Sequence, residues 1–223
     1  ENISYLINPL GKKLTEDELI NLVGDSEIII AGTEPITAKV ISKAKNLKMI
    51  SRVGIGLDSV DLIAAKKRNI KVSYTPDAPA PAVADLTMGL MYSLLRRVHE
   101  ANVQLHQAKW NRLFGRRLTE CTVGIVGVGR IGSNVLRNLK ALGCKRILYY
   151  DKNVRLDEED NEQIMYAEKT DIYKVSDIVS FHLPLDLETN DMFTINEMKT
   201  MKKNAFVINT ARGGIINEID LSY

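Results

Sequence analysis

Three glycines, spaced Gly127-x-Gly129-x-x-Gly132, stand between an apolar run at 122–126 and an amphipathic stretch that begins at Arg130. Few folds place a strand, a glycine turn and a helix in that order with that spacing. Gly127 permits a tight turn out of the strand, Gly129 has no side chain to keep an anion off the backbone, and Gly132 lets helix and strand pack closely. The first N–H groups of the helix, those of Arg130 and Ile131 among them, and its dipole then face the anion. Asp151 ends the next apolar run, 19 residues after Gly132. An acid there accepts hydrogen bonds from adenosine ribose hydroxyls and repels a 2′-phosphate, which predicts NAD and not NADP as the dinucleotide. Lys152 beside it pulls weakly the other way.

The rest of the chain alternates short apolar runs with helical patterns, as a parallel sheet covered on both faces requires. Strands are expected at 3–7, 27–31 (buried, with three consecutive isoleucines), 47–52 and 70–74. Thr15 and Glu18 form a capping box that starts a helix running to Val23 and Gly24, Thr37 caps a second to Ala44, and 61–68 makes a third. The Lys66, Lys67, Arg68 run reads as a solvated helix face. A Pro- and Ala-rich break at 75–82 precedes one long helix over 82–109, with Val83, Leu86, Leu90, Leu94 and Val98 as its apolar stripe. The alternation then restarts, with a strand at 122–126, a helix at 130–142 closed by Gly143, and strands at 147–150, 177–181 and 205–208; Ile219, Asp220 and Leu221 begin a further helix. These breaks divide the chain into 1–80, a linking or dimer-forming helix at 81–110, and a dinucleotide-binding region at 111–223.

Composition narrows the partners. With 30 Lys and Arg against 28 Asp and Glu, the net charge of +2 creates no strong field for nucleic acid or an anionic membrane. No apolar run reaches the ~18 residues of a membrane helix. Cys121 and Cys144 have no zinc-type spacing, so no metal is expected, and two thiols suit a reducing, cytoplasmic setting.

Four segments together carry a family resemblance: 50–61, with Arg52, Gly54, Ile55, Gly56, Asp58 and Asp61; Thr75 and Pro76 followed by Val83, Ala84 and Asp85; the glycine turn; and Asn209, Thr210, Ala211, Arg212, Gly213 and Gly214. The chain resembles the D-isomer-specific 2-hydroxyacid dehydrogenases, most of all their phosphoglycerate dehydrogenase-like branch. That resemblance implies an α/β protein of two Rossmann- or flavodoxin-like parallel-sheet domains with a cleft between them. It implies hydride transfer between NAD and a D-2-hydroxy or 2-keto acid, 3-phosphoglycerate among the candidates; the long helix suggests a homodimer. Arg212 is the expected catalytic residue, because a guanidinium can grip a carboxylate and polarise the neighbouring carbonyl. The N–H groups of Ile55 and Gly56 are expected to hold the substrate carboxylate, although Gly54 and Gly56 alone read equally as a turn. Arg52 is expected to select a second negative charge, or else to bond within its strand end. Asn209, Thr210 and Ala211 line the nicotinamide side, while His182, Leu183 and Pro184 pass the adenosine half mainly through backbone, which makes His182 structural. His99 and His106 receive no role.

The family's acid/base, a His tuned by a Glu, lies on motifs beyond the arginine segment and does not occur in these 223 residues. The family's first strand and helix are also not found before Glu1. The expectation is a piece of a longer enzyme. The alternatives are an NAD-sensing interaction protein and a catalytically silent fragment, which a fold cannot separate. Asn217 before Glu218, where the family usually has Asp, is expected to alter local hydrogen bonds only.

Overall fold

A computed structural model describes residues 3–154, 156 and 163–222. Internal contacts divide it into two units, Glu1–Pro79 and Ala80–Tyr223.

In the first unit, α1 (Glu16–Val23) opens with the expected capping box of Thr15 and Glu18 and ends at Gly24, where φ is 36°. Then follow β1 (Ile28–Ala31), α2 (Ala38–Lys43), β2 (Met49–Arg52), α3 (Leu62–Lys67) and β3 (Lys71–Tyr74). Thr37 and Asp61 cap α2 and α3 through their side chains. The three strands pair in parallel in the order β1-β2-β3, with Ala31, Arg52 and Tyr74 in register. Leu19, Val40, Ile41, Ile50, Val60 and Ile70 are among the residues of the core.

Two expectations fail in this unit. Residues 3–7 form no strand, and Ile3, Tyr5, Leu6 and Ile7 are all exposed; a strand needs a hydrogen-bonded neighbour, and this sheet offers that segment none. The isoleucine strand is not buried. As an edge strand, β1 turns Ile28 (58% exposed) and Ile30 (78%) outward. Arg68 does more than decorate a helix face: its guanidinium donates to the carbonyls of Ile41, Ala44 and Lys45 and so caps the end of α2.

The second unit opens with α4 (Ala80–Arg96) and α5 (Val98–His106) where one helix was expected. The break is Arg97, in the left-handed region at φ 54°, ψ 37°. A non-glycine residue there costs about 1 kcal/mol, offset in part by the ion pair of Arg97 with Glu100. The predicted stripe is also rotated. Ala84, Thr87, Met88, Met91 and Leu95 are buried, while Leu86 and Val98 are more than half exposed. Small side chains at Ala84 and Thr87 let this face approach its neighbours closely, which apolar spacing alone does not register.

The sheet that follows holds β4 (Thr122–Val126), β5 (Arg146–Tyr150), β6 (Ile164–Tyr166), β7 (Ile178–Phe181) and β8 (Phe206–Asn209), all parallel, in the order β6-β5-β4-β7-β8. Between them run α6 (Arg130–Ala141), α7 (Lys169–Val175) and α8 (Ile195–Met198), and α9 (Glu218–Leu221) follows. The strand β6 and the helices α7 and α8 were not foreseen; each is too short for a periodicity to show. From α6, Val135, Leu136 and Leu139 are fully buried, each contributing about 1.5–3 kcal/mol. Leu142, the last residue of the expected helix, is 46% exposed, because the chain has already left the helix for the turn at Gly143 (φ 71°).

Asp177 fastens the amino end of β4. Its carboxylate accepts from the Thr122 N–H at 2.8 Å and from Arg116 and Lys202 at 3.1 Å. Burial pushes this carboxyl up, but those three partners outweigh it and hold the pKa below the ordinary value. Among the described residues, no helix is long and apolar enough to cross a membrane, and no group of three or more His, Cys, Asp or Glu could hold a metal ion.

Candidate functional site

The glycine turn leaves the carboxyl end of β4, the middle strand of five. From β4 the chain builds outward through β5 to β6, then crosses back to β7 on the other side. Such a reversal opens a crevice at the strand ends, where ligands of open α/β sheets bind. The three glycines differ in what surrounds them. A Cβ on Gly132 would lie 1.9 Å from the Gly127 carbonyl oxygen, an impossible approach, so this position closes helix on turn. Gly127 has φ 96° and faces the His182 carbonyl. A Cβ on Gly129 would meet nothing within 4 Å. That is the cradle an approaching pyrophosphate needs. Gly129 is also the N-cap of α6 and has no side chain to satisfy the first N–H groups. The residues present therefore fit a dinucleotide phosphate.

Asp151 ends β5 beside this turn. Its Oδ2 accepts from the Val128 N–H at 2.9 Å, and its Oδ1 accepts from the N–H groups of Asn153 (2.9 Å) and Val154 (3.1 Å). These three backbone N–H groups hold the carboxylate against the glycine turn. Lys152 turns to Glu188, 2.6 Å away, and the Glu188 bond holds its pKa above the ordinary value.

Across the crevice, β7 leads into His182, Leu183 and Pro184. His182 is buried, and its Nε2 lies 2.9 Å from Ser180 Oγ. Its Nδ1 is buried with no partner. Burial pushes its pKa down to about 4, so the ring is neutral near pH 7. Leu183 is half-buried and Pro184 exposed.

The arginine loop leaves the end of β8. Asn209 builds it, its Nδ2 donating to the Arg212 carbonyl at 2.7 Å and its Oδ1 accepting from the Ala211 N–H at 3.0 Å. Arg212 Nη1 donates to the Ala211 carbonyl at 2.7 Å. Thr210 Oγ1 lies 2.9 Å from Thr87 Oγ1 on α4, a contact no sequence motif announced. The loop closes where Gly214, at φ 82°, receives the Glu218 carboxylate on its N–H. Asn217 caps α9 through the Asp220 N–H.

In the first unit, Arg52 ends the middle strand β2, and Gly54, Ile55 and Gly56 follow as a half-buried loop. Arg52 is only 8% exposed. Its Nη1 donates to the Val53 carbonyl, while its Nε is buried without an acceptor. Room for the guanidinium comes from Gly54, whose Cβ would stand 2.4 Å from Nη1. The Gly54 N–H donates to Thr75 Oγ1 at 2.7 Å.

Residues 88–223 match the family model described as the NAD binding domain of D-isomer specific 2-hydroxyacid dehydrogenases. Hydroxypyruvate reductase of Thermotoga maritima is 38% identical over 93% of this chain and 68% of its own length. D-3-phosphoglycerate dehydrogenase of Methanocaldococcus jannaschii is 35% identical over 92% of this chain and 40% of its own. Among solved structures, D-lactate dehydrogenase of Aquifex aeolicus, complexed with NAD and lactic acid, superposes with a TM-score of 0.80 at 30% identity. That match covers 93% of this chain and 63% of the other. The chain therefore spans between 40% and 68% of the length of these three relatives. With the family model covering more than half of it, the chain belongs to the D-isomer specific 2-hydroxyacid dehydrogenase family, and its second unit is an NAD-binding domain of that family.

Proposed function

We propose that this chain carries the cofactor-binding domain and part of the substrate domain of an NAD-dependent D-2-hydroxyacid dehydrogenase. In this reading 1–80 serve the substrate, 81–110 link or dimerise, and 111–223 bind NAD. The observation that carries the reading is the glycine turn: closed at Gly132, open at Gly129, and flanked by Asp151 at a reversal of strand order. NAD, when bound, supplies the hydride acceptor or donor. The N–H groups of Arg130 and Ile131 hold its pyrophosphate, and Asp151 takes the ribose hydroxyls. His182, Leu183 and Pro184 pass the adenosine half, and Asn209, Thr210 and Ala211 line the nicotinamide side.

Arg212 grips the substrate carboxylate and draws charge toward the carbonyl oxygen, which favours the transition state over the ground state. In the first unit, the N–H groups of Ile55 and Gly56 offer backbone donors to a carboxylate. Arg52 answers a second negative group on the substrate. A buried guanidinium N–H without an acceptor is costly, and an anionic ligand at the loop would relieve that cost. His182 is taken as structural, its ring buried with Nε2 2.9 Å from Ser180 Oγ.

Two further features extend the reading. Val103, Leu105, Trp110 and Phe114 are 54–85% exposed, and Leu105 and Trp110 border a cavity of about 410 Å³. An apolar patch of this kind fits the contact of a homodimer. Both cysteines are free and buried, in keeping with a cytoplasmic setting.

The test is NADH oxidation by this polypeptide with a panel of 2-keto acids that includes phosphohydroxypyruvate. Any turnover is expected to fall with Arg212→Ala for every substrate. With Arg52→Ala it is expected to fall selectively for doubly anionic ones. NADH binding without turnover would leave a dinucleotide-binding protein, and no NADH binding at all would overturn the proposal.

A further inference from the structure

The hydroxyl of Thr87 is fully buried on α4 and bonds twice. It lies 2.8 Å from the Val83 carbonyl oxygen and 2.9 Å from Thr210 Oγ1. A carbonyl can only accept, and a threonine hydroxyl has one proton. Thr87 therefore spends its proton on Val83 and can only accept from Thr210. It follows that Thr210 donates its own proton to Thr87 and keeps only lone pairs for anything outside. The rotor of Thr210 is locked, although no motif pairs these residues and they stand 123 positions apart. The neighbouring residues are locked as well: Asn209 ties both the Ala211 N–H and the Arg212 carbonyl.

We propose that Thr87 is a positioning residue for the arginine loop. In this role it orients Thr210 as a pure acceptor, so that the loop discriminates for a ligand group that donates, such as the N–H of a carboxamide. The proposal rests on the reading above that 209–212 line the nicotinamide side of NAD. Helix α4 is well suited to the task. Met88, Met91 and Leu95, on the same buried face as Thr87, belong to the core that also holds Ile208 of β8, so the bond ties the first residue after β8 to a helix that shares the core of that strand.

The experiment compares NADH with ADP-ribose, which shares the adenosine and pyrophosphate groups but has no nicotinamide. Binding of each is titrated to the wild-type polypeptide, Thr87→Val and Thr87→Ser. Valine keeps the shape and removes the acceptor; serine keeps the acceptor. Losing one neutral hydrogen bond that orders the loop is expected to weaken NADH about three- to tenfold. ADP-ribose should be unchanged, and Thr87→Ser should restore NADH. Equal weakening of both ligands by Thr87→Val would mark Thr87 as merely structural and overturn the proposal. So would unchanged NADH affinity, or a wild type that binds NADH no more tightly than ADP-ribose. If the wild type bound neither ligand, the dinucleotide reading itself would fall and take this inference with it.

Discussion

Alanine placed at Gly129 and at Gly132 should separate binding from folding, although the two positions lie three residues apart in one motif. At Gly132 the new Cβ would start 1.9 Å from the Gly127 carbonyl oxygen and 2.9 Å from its carbonyl carbon. Both are backbone atoms, so no rotamer change can relieve the clash. Bringing the nearer contact to an ordinary 3.4 Å needs about 1.5 Å of movement between α6 and β4, and overpacking of this kind costs roughly 1–3 kcal/mol or more. For a unit of this size that is a melting-point drop of about 3–10 °C. Gly129 has a φ of −69°, which any residue adopts, and a Cβ there meets nothing within 4 Å. Gly129→Ala should melt within a degree or two of wild type, yet place a methyl in the proposed pyrophosphate site and weaken NADH about tenfold or more. Thermal melts and NADH titrations on the same preparations provide the assay. The reasoning is refuted if Gly129→Ala melts as low as Gly132→Ala, or if it binds NADH as well as wild type.

Two further outcomes follow from the charges around the crevice. His182, whose pKa burial lowers to about 4, takes up a proton in the unfolded chain near pH 6.5 but resists it when folded, so stability is lost as pH falls from about 6.5 toward 4. The loss is about 2 kcal/mol at pH 5. Denaturant titrations at pH 7 and pH 5 should show that difference shrink in His182→Gln, and an undiminished difference would place the titration elsewhere. Glu188 holds Lys152 beside Asp151. Glu188→Gln should free that lysine for a 2′-phosphate and shift the NADPH-to-NADH affinity ratio about two- to threefold toward NADPH, the modest effect of an exposed pair. An unchanged ratio would show that Lys152 does not reach the ribose.

The glycine turn, the caps at Thr15 and Thr37, and most of the strands were legible in the sequence because each is set by local chemistry: a missing side chain, a nearby hydroxyl, an apolar run. What was not legible depends on partners distant in the chain. The 3–7 segment has strand composition but no strand to pair with. The isoleucines of β1 look buried until the sheet order puts them at an edge. Arg97 has no composition signal for a left-handed residue, so the break between α4 and α5 could not be placed. The face that α4 buries was misassigned because leucines outweighed Ala84 and Thr87 in the pattern, whereas packing favoured the residues that allow close approach. Thr87 was missed for the same reason, its role being visible only from Thr210.

The two units also differ in a way that the alternation of strands and helices conceals. In the second unit the order β6-β5-β4-β7-β8 reverses at β4, so the loops after β4 and β7 diverge and leave open the space into which Gly129 faces. In the first unit the order β1-β2-β3 advances without reversal among the described residues. There the loop after β2 has no crevice made by topology. It has instead a buried arginine whose guanidinium displaces any side chain at Gly54. The first arrangement suits an extended ligand laid across strand ends and held by backbone donors. The second suits a small anion held by charge and two peptide N–H groups. In the function proposed above, the first arrangement serves a dinucleotide and the second a small acid, and it is the unequal strand order of the two sheets that sets the two apart.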